Sequence, residues 1–182
     1  MEIALSTNHN ETNLIHACIR NERWAQKVIY EEYYGSMMGV CLRYASNEED
    51  ALDILQEGFI KVFRNISKYK PGTSLHSWIR RVMVNTAIDF YRKSIRRRTE
   101  DIDSAYQVTS KDVDAISRCT EKEILAAVQQ LTPTYRTVFN MYVIEGYSHK
   151  EIGEFLNITE STSRSNLVKA RNRLKGLLKN YK

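Results

Sequence analysis

Residues 148–175 read SHKEIGEFLNITESTSRSNLVKARNRLK, and this stretch decides the fold of the C-terminal part of the chain. Ser148 and Glu151 have the spacing of a capping box, which predicts the start of a short helix. The sequence from Asn157 to Thr159 predicts a turn, and a longer helix follows it toward Asn180. A short helix, a turn and a longer helix together form a helix-turn-helix pattern.

The second helix of this pattern is expected to be basic on its exposed side. Between Ser148 and Lys182 the chain has eight Lys or Arg residues against three Asp or Glu residues. The apolar residues expected to bury this helix are Leu167, Val168 and Leu174. The side chains expected to reach bases or phosphates in the major groove of DNA are Arg164, Ser165, Asn166, Lys169, Arg171 and Arg173. The alternative is a plain helical hairpin with a solvated basic face.

Upstream of this pattern, further helices are predicted, preceded by an acidic segment. Thr132-Pro133 is a cap followed by proline at a first helical position, and an apolar helical pattern from Ile124 to Leu131 comes before it. Residues 99–117 carry five acidic residues and one basic residue, with few large apolar side chains. We therefore expect a flexible acidic linker over residues 99–118 and a small helical domain over 119–182.

Residues 13–98 are predicted to form a four-helix domain, and residues 1–12 a flexible tail. Apolar spacing predicts two helices between Asn13 and Tyr44, with a bend near Asn21. Ser46 and Glu49 form a second capping-box pattern, so a third helix should start there and stop before Pro71. A fourth helix should start near Ser74. No sustained strand pattern occurs, so the prediction is an all-α protein of two small helical domains.

Composition narrows the function classes. The net charge is +5 and the isoelectric point about 9.1, which permits a polyanionic partner. The mean hydropathy is −0.48, and no run of apolar residues is long enough to span a membrane. The N-terminus lacks the pattern of a signal peptide, so a cytoplasmic protein is expected. The three cysteines and four histidines have no metal-ligand spacing. We expect no metal, no cofactor and no catalytic residues.

A second candidate surface lies between Trp78 and Arg98. Basic residues combine there with the aromatic residues Trp78, Phe90 and Tyr91, and such a mixture suits single-stranded nucleic acid, where bases stack on rings and phosphates meet cations. The basic residues are Arg80, Arg81, Arg92, Lys93 and Arg96–Arg98. From these residues alone, Trp78 as a core residue and the arginines as a solvated face remain an equal alternative.

A third feature is the polar stripe of the helix from Asp50 to Phe63. Asp53, Gln56 and Glu57 recur at helical spacing beside an apolar stripe that includes Phe59. The plain interpretation is an amphipathic core helix, and composition alone does not distinguish it from a surface that binds a partner.

Three strings resemble the extracytoplasmic-function (ECF) sigma factors, the bacterial specificity subunits of RNA polymerase. EEDALDILQEGFIKVF (48–63) is similar to the helix that binds core polymerase. SWIRRVMVNTAID (77–89) is similar to the helix that melts the promoter and reads its −10 element. YRTVF (135–139) with EGYSHKEI (145–152) is similar to the domain that binds the −35 element. The resemblance covers nearly the full chain.

The resemblance implies roles for particular residues. The core-polymerase-binding positions are Asp53, Gln56, Glu57 and Phe59. The positions for −10 binding and melting are Ser74, His76, Trp78, Arg80, Arg81 and Asn85, with Ser74–Ser77 as the loop that holds a flipped base. The positions for −35 binding are Thr162, Arg164, Ser165, Asn166, Lys169 and Arg171.

The sequence departs from the family pattern at three positions of the recognition segment. Family members often have Gly at Ser161, Val at Ser163 and Arg at Asn166. An asparagine can pair with adenine through two hydrogen bonds, whereas arginine favours guanine. We therefore expect a different base preference at the position that Asn166 would read.

The implied partners are core RNA polymerase, promoter DNA and an anti-sigma factor, often membrane-anchored, with no membrane insertion of the chain itself. The alternative is a stand-alone helix-turn-helix regulator, although the most basic stretch then lies in a domain that would not bind DNA. A nuclease or recombinase would need a nucleophile or a carboxylate cluster, and the sequence shows neither. A purely structural adaptor would show no salt-dependent DNA binding.

Overall fold

The computed structural model describes the backbone of residues 2–100 and 121–179, and the surroundings of side chains 11–96 and 122–178. Within these ranges the chain is helical and has no strand, so the prediction of an all-α protein is confirmed. A 3₁₀ turn, Ile66–Lys68, follows the third helix, and a π-helical turn, Asn140–Ile144, follows the sixth. The helices are α1 (Glu2–Ile19), α2 (Arg23–Tyr44), α3 (Glu48–Asn65), α4 (Leu75–Glu100), α5 (Glu121–Gln129), α6 (Pro133–Phe139), α7 (His149–Leu156) and α8 (Glu160–Lys179).

By its contacts the chain divides into two compact units. The first unit consists of Met1–Cys41 and Glu49–Thr86, and the second of Leu42–Glu48 and Ala87–Lys182. The predicted division into domains 13–98 and 119–182 follows composition and stays a prediction. The acidic linker predicted between them lies mostly outside the residues that the structure describes.

The first unit has a core of aliphatic and sulfur-containing side chains. Burying one side chain of this size contributes about 1.5–3 kcal/mol. Gly58 on α3 lies against the side chain of Met83 on α4, since a Cβ there would lie 2.2 Å from the sulfur of Met83. The largest fully buried residues of this core include Ile29, Met37, Ile54, Leu55, Ile79 and Met83.

The helix boundaries of the first unit follow local backbone chemistry. Asn21 has a φ of 59° and separates α1 from α2, at the predicted bend. The hydroxyl of Ser74 accepts a hydrogen bond from the amide of Ser77 (3.2 Å), just before α4 begins. The backbone of α1 starts at Glu2, where a flexible tail is predicted, and the N-terminal segment contains no Gly or Pro to interrupt a helix.

The second unit has an apolar cluster of its own, formed by α5, α6 and α8. Thr132 caps α6 by accepting a hydrogen bond from the amide of Tyr135 (3.4 Å), and Pro133 follows it in the first turn, as the sequence predicts. The cluster consists of Ala127, Val128, Leu131, Ala170 and Leu174, with Tyr135, Phe139, Leu177 and Leu178 packed against it.

Arg136 on α6 is the main polar group inside the second unit. Its side chain is only 3% exposed, and its guanidinium donates hydrogen bonds to five oxygen atoms. Since the last carbonyls of a helix have no partner within that helix, Arg136 caps the ends of both α2 and α5. The acceptors are the carbonyls of Gln129 (2.7 Å), Leu131 (2.9 Å), Tyr44 (3.3 Å) and Ala45, and the hydroxyl of Ser46 (3.3 Å).

The bond from Arg136 changes the expected start of α3. The sequence predicts a capping box with Ser46 at the cap, but α3 begins at Glu48, which places Asn47 at the cap position. The Ser46 hydroxyl accepts a hydrogen bond from Arg136 instead. The spacing of Ser46 and Glu49 carries no information about an arginine 90 residues away.

Cys18 and Cys41 are buried thiols of the first unit. Burial, helped by the negative charge of Glu22, raises the pKa of Cys18 to about 11. Both side chains therefore behave as small apolar core residues. The third cysteine, Cys119, lies outside the described residues.

Candidate nucleic-acid interface

The start of α7 has the predicted capping box. The Ser148 hydroxyl accepts from the amide of Glu151 (3.2 Å), and the Glu151 carboxylate accepts from the amide of Ser148 (2.8 Å). These hydrogen bonds lower the pKa of Glu151, because they favour the charged carboxylate. The helix thus begins where the sequence predicts, with its first turn satisfied by side chains.

The turn between α7 and α8 depends on a close backbone approach. Asn157 ends α7 in the left-handed region with a φ of 54°, and the amide of Ile158 donates to the carbonyl of Gly153 (3.0 Å). The Thr159 hydroxyl then accepts from the amide of Thr162 (3.1 Å) and caps α8. A Cβ at Gly153 would lie 2.8 Å from the carbonyl oxygen of Ile158.

We expect Gly153→Ala to destabilise the second unit by about 1–3 kcal/mol, because the added methyl group forces the turn apart. Thermal unfolding followed by far-UV circular dichroism measures the effect. The matched control is Gly176→Ala on α8, where a Cβ meets nothing within 4 Å. That control should gain up to about 1 kcal/mol from helix propensity. A Gly153→Ala protein as stable as the wild type would contradict the prediction.

The outward face of α8 carries much of the predicted −35 surface. Successive residues are 100° apart around a helix, so Ser165 and Lys169 lie on the side opposite to the buried stripe, and Arg164 lies at the edge of this outward face, near Arg171. All three are exposed, and Glu160 accepts a hydrogen bond from Arg164 one turn away on the helix. Thr162 and Arg171 are also exposed and lie on the two flanks. The buried stripe consists of Ser163, Leu167, Ala170 and Leu174.

Two residues of α8 lie where the sequence does not place them. Asn166, the expected adenine reader, is only 9% exposed and lies at the edge of the buried stripe. Val168, expected in the core, is 57% exposed in the middle of the outward face. The core prediction for Val168 is wrong, because small residues, Ser163 and Ala170, complete the inner stripe. An exposed valine there suits apolar contact with a thymine methyl group.

His149 joins three elements beneath this face. It is the first residue of α7 and is buried. Its Nδ1 lies 2.9 Å from the hydroxyl of Ser163 on α8, and its ring stacks on Tyr142 at 4.3 Å between centroids. The sequence pattern does not reveal this cluster, because Tyr142 belongs to a π-helical turn that no local signal predicts.

The predicted −10 residues lie at the start of α4, and four of them share one side. Ser74, Trp78, Arg81 and Asn85 are spaced by three or four residues, which puts them in one row along the helix. Three are exposed, and Trp78 is half-buried with its ring edge against Tyr69 at 5.8 Å. His76 and Arg80 are spaced outside this row, and the ring of His76 lies 6.0 Å from that of Tyr33.

The predicted polymerase-binding residues divide between the surface and the core. Asp53 and Gln56 are exposed, and Glu57 is half-exposed with an ion pair to Lys61 (3.3 Å). Phe59 is 3% exposed, so it supports this face of α3 from beneath instead of contacting a partner.

The face of α3 also contains a residue that the sequence pattern does not single out. Ile60 is 50% exposed beside Asp53 and Gln56. Its spacing from Asp53 places it on the same side of the helix, so the expected stripe of Asp53, Gln56 and Glu57 also has an apolar member.

Other chemistries find no support within the described ranges. Among residues 11–96 and 122–178, no three His, Cys, Asp or Glu side chains are grouped as metal ligands. No helix in the described part of the chain is both long and apolar enough to cross a membrane. The helix-turn-helix and the row on α4 are the arrangement expected of an all-helical DNA-binding protein.

Comparison with known proteins identifies the family. Residues 29–98 match the model for Sigma-70 region 2, and residues 121–174 match the model for Sigma-70, region 4. The ECF RNA polymerase sigma factor SigE of Mycolicibacterium smegmatis is 33% identical over 141 residues, which cover 75% of this chain and 54% of that protein. The ECF RNA polymerase sigma-E factor of Haemophilus influenzae is 26% identical over 171 residues, 87% of this chain and 89% of the relative.

A solved structure has the same fold. The sigma factor RpoE in complex with the anti-sigma factor NepR from Bartonella quintana superposes with a TM-score of 0.51 at 20% identity, covering 84% of this chain and 96% of that one. The two family models together match more than half of the chain. The chain belongs to the sigma-70 family and, within it, to the ECF sigma factors. It spans about half the length of the SigE protein of M. smegmatis.

Proposed function

We propose that this sigma factor binds core RNA polymerase and directs it to promoters by reading the −35 element as duplex and the −10 element as melted strand. The main support for this proposal is the outward face of α8, the second helix of the helix-turn-helix. Arg164, Ser165 and Lys169 are exposed there. Side chains of these types hydrogen-bond to base edges and phosphates in the major groove.

The row on α4 is the proposed −10 surface. Trp78, Arg81 and Asn85 combine an aromatic ring, a cation and an amide along one line. A half-buried tryptophan is rigid, so it can stack on or wedge against an unpaired base without losing much conformational freedom. Ser74–Ser77 would hold the flipped base, and extruding a base costs a few kcal/mol that pocket contacts offset.

The face of α3 is the proposed docking surface for core polymerase. We include Asp53, Gln56, Glu57 and Ile60 in it, and call these residues the α3 face. Phe59 packs against Tyr30 and Phe63 beneath the face, with ring centroids 4.7 and 6.0 Å from its own.

The protein acts in the cytoplasm, has no catalytic activity of its own and needs no cofactor. An anti-sigma factor, such as the one in the Bartonella complex, is the proposed regulator.

Run-off transcription tests the proposed function. Core RNA polymerase is mixed with a pool of genomic promoter fragments, with and without this protein. Discrete transcripts that require the protein would support the proposal and supply its promoters. Specific retention of duplex fragments without polymerase, and no transcripts, would favour the stand-alone regulator instead.

Arg164→Ala should weaken binding of the holoenzyme to a promoter found in this way by about 1–3 kcal/mol, if Arg164 contacts a base. The measurement is the dissociation constant for the promoter and for a fragment with a scrambled −35 element, at one salt concentration. Arg23→Ala, an exposed arginine at the start of α2, is the control and should bind like the wild type. An equal loss on both fragments would mean that Arg164 contacts only phosphate.

A further inference from the structure

His149 is held from two sides in the second unit. Its Nδ1 shares a hydrogen bond with the hydroxyl of Ser163 (2.9 Å), and its ring lies nearly parallel to that of Tyr142, with 20° between the planes. Ser163 is fully buried on the inner side of α8. The imidazole therefore connects α7 and the π-helical turn to one fixed point on α8.

That fixed point lies directly beneath the proposed DNA-reading residues. Ser163 precedes Arg164 and Ser165 in the chain, so any rotation or slide of α8 that breaks the bond to His149 moves both of them. Binding sites need their side chains held within about 0.5 Å and 10–20° of the productive geometry. Contacts to base edges are more sensitive to such a shift than contacts to phosphates, because they depend on paired hydrogen bonds.

The surroundings of His149 disfavour a charged imidazole. Burial lowers its pKa, the guanidinium groups of Arg164 and Arg171 lower it further, and the carboxylate of Glu160 partly opposes them. From the π-helical turn the facing group is Tyr142, whose ring also has the Arg171 guanidinium 5.9 Å away. The first-turn position in α7 adds the positive end of the helix dipole. The charged residues of α7 itself are Lys150, Glu151 and Glu154.

We propose that His149 is a positioning residue for the recognition helix: its neutral imidazole, bonded to Ser163 and stacked on Tyr142, sets the orientation of α8 for sequence-specific binding. This proposal rests on the proposed function of α8. Protonation places a cation next to Arg164 and Arg171 and loosens the packing. Promoter recognition then weakens as the pH falls below about 6.5, the ordinary pKa of histidine.

Variants at pH 7.5 separate the hydrogen bond from the stacking. His149→Phe keeps a ring over Tyr142 and loses the bond, whereas His149→Asn keeps a polar group for Ser163. We expect the holoenzymes with His149→Phe and Ser163→Ala to bind the promoter about 3- to 10-fold more weakly, with less effect on a scrambled fragment. The double variant should lose little more than either one. Arg23→Ala, the exposed control on α2, should bind like the wild type.

The pH profile distinguishes positioning from plain packing. Between pH 7.5 and 5.0 the wild-type holoenzyme should lose more promoter affinity than His149→Asn, which cannot take up a proton at position 149 and still contains the other histidines. The proposal would be overturned if the Ser163→Ala and His149→Phe holoenzymes bound the promoter as tightly as the wild type at pH 7.5. Equal pH profiles of promoter affinity for the wild type and His149→Asn would overturn it too.

Thermal unfolding of the free protein supplies a measurement that needs no promoter. The pKa of His149 is lowered in the folded state, so the unfolded chain binds more protons than the folded chain below about pH 6.5. The free energy of unfolding therefore decreases as the pH is lowered, until the folded state is protonated as well. His149→Asn should lose less stability over this interval. Absence of transcripts would refute the proposed function, whereas identical stability profiles would refute the role of His149.

Discussion

Arg136→Met is expected to lower the free energy of unfolding by about 3 kcal/mol or more, a large share of the 5–15 kcal/mol typical of a folded protein. Methionine fills much of the same volume but donates no hydrogen bond. Each buried carbonyl left without a donor costs about 1–3 kcal/mol, and Arg136 donates to four carbonyls at the ends of α2 and α5. The side-chain amide of Asn140 donates to the carbonyl of Arg43, and that of Gln129 donates to the carbonyl of Leu42, so both donors are already engaged elsewhere.

Two spectroscopic signals locate the effect of Arg136→Met. Both tryptophans, Trp24 and Trp78, belong to the first unit, whereas circular dichroism reports helices of both units. In Arg136→Met, the urea midpoint measured by circular dichroism should be lower than in the wild type. The midpoint measured by tryptophan fluorescence should shift less. Arg136→Lys keeps the charge but not the planar fork of donors, and should fall between the wild type and methionine. Unchanged midpoints in Arg136→Met would show that the guanidinium contributes no net stability.

Asp53→Arg is expected to abolish protein-dependent transcription and to weaken binding of core polymerase by about 3 kcal/mol or more, since reversing a charge inside a docking surface leaves an unpaired cation there. The side chain is exposed in the free protein. The fold should therefore tolerate the change within about 0.5 kcal/mol. Binding of labelled protein to core polymerase, with thermal unfolding in parallel, measures both quantities.

Two further variants define the α3 face. Glu31→Arg makes the same charge change on α2, where Glu31 forms an exposed pair with Lys27 (3.6 Å), and should retain binding. Ile60→Ala removes apolar contact area from the α3 face without altering charge, so it should weaken binding less than Asp53→Arg. Unfolding of Asp53→Arg, or wild-type binding by it, would show that this side of α3 serves only the fold.

Local capping chemistry explains what the sequence predicts well. Ser148 with Glu151, and Thr132 with Pro133, satisfy the first amides of their own helices, so three or four residues contain the whole signal. Ser46 fails as a cap for the opposite reason, because its hydroxyl bonds to a distant arginine. The π-helical turn at Asn140–Ile144 is likewise set by tertiary packing and has no local signature.

The candidate surfaces divide in the same way. Helical spacing is sufficient to group Trp78, Arg81 and Asn85, because residues three or four apart always share a side. Exposure is not predictable from spacing alone. Val168 and Asn166 exchange their expected environments, since the neighbours of α8 determine which of its sides is covered.

Alkylation of Cys18 and Cys41 can be used to measure local opening of the first unit. Alkylating reagents attack the thiolate, and neither thiol is accessible in the folded unit. Labelling rates, read peptide by peptide in a mass spectrometer, therefore give the free energy of opening around two helices without any introduced probe. The labelling rate of the peptide that contains Cys119 is obtained separately from the same spectrum.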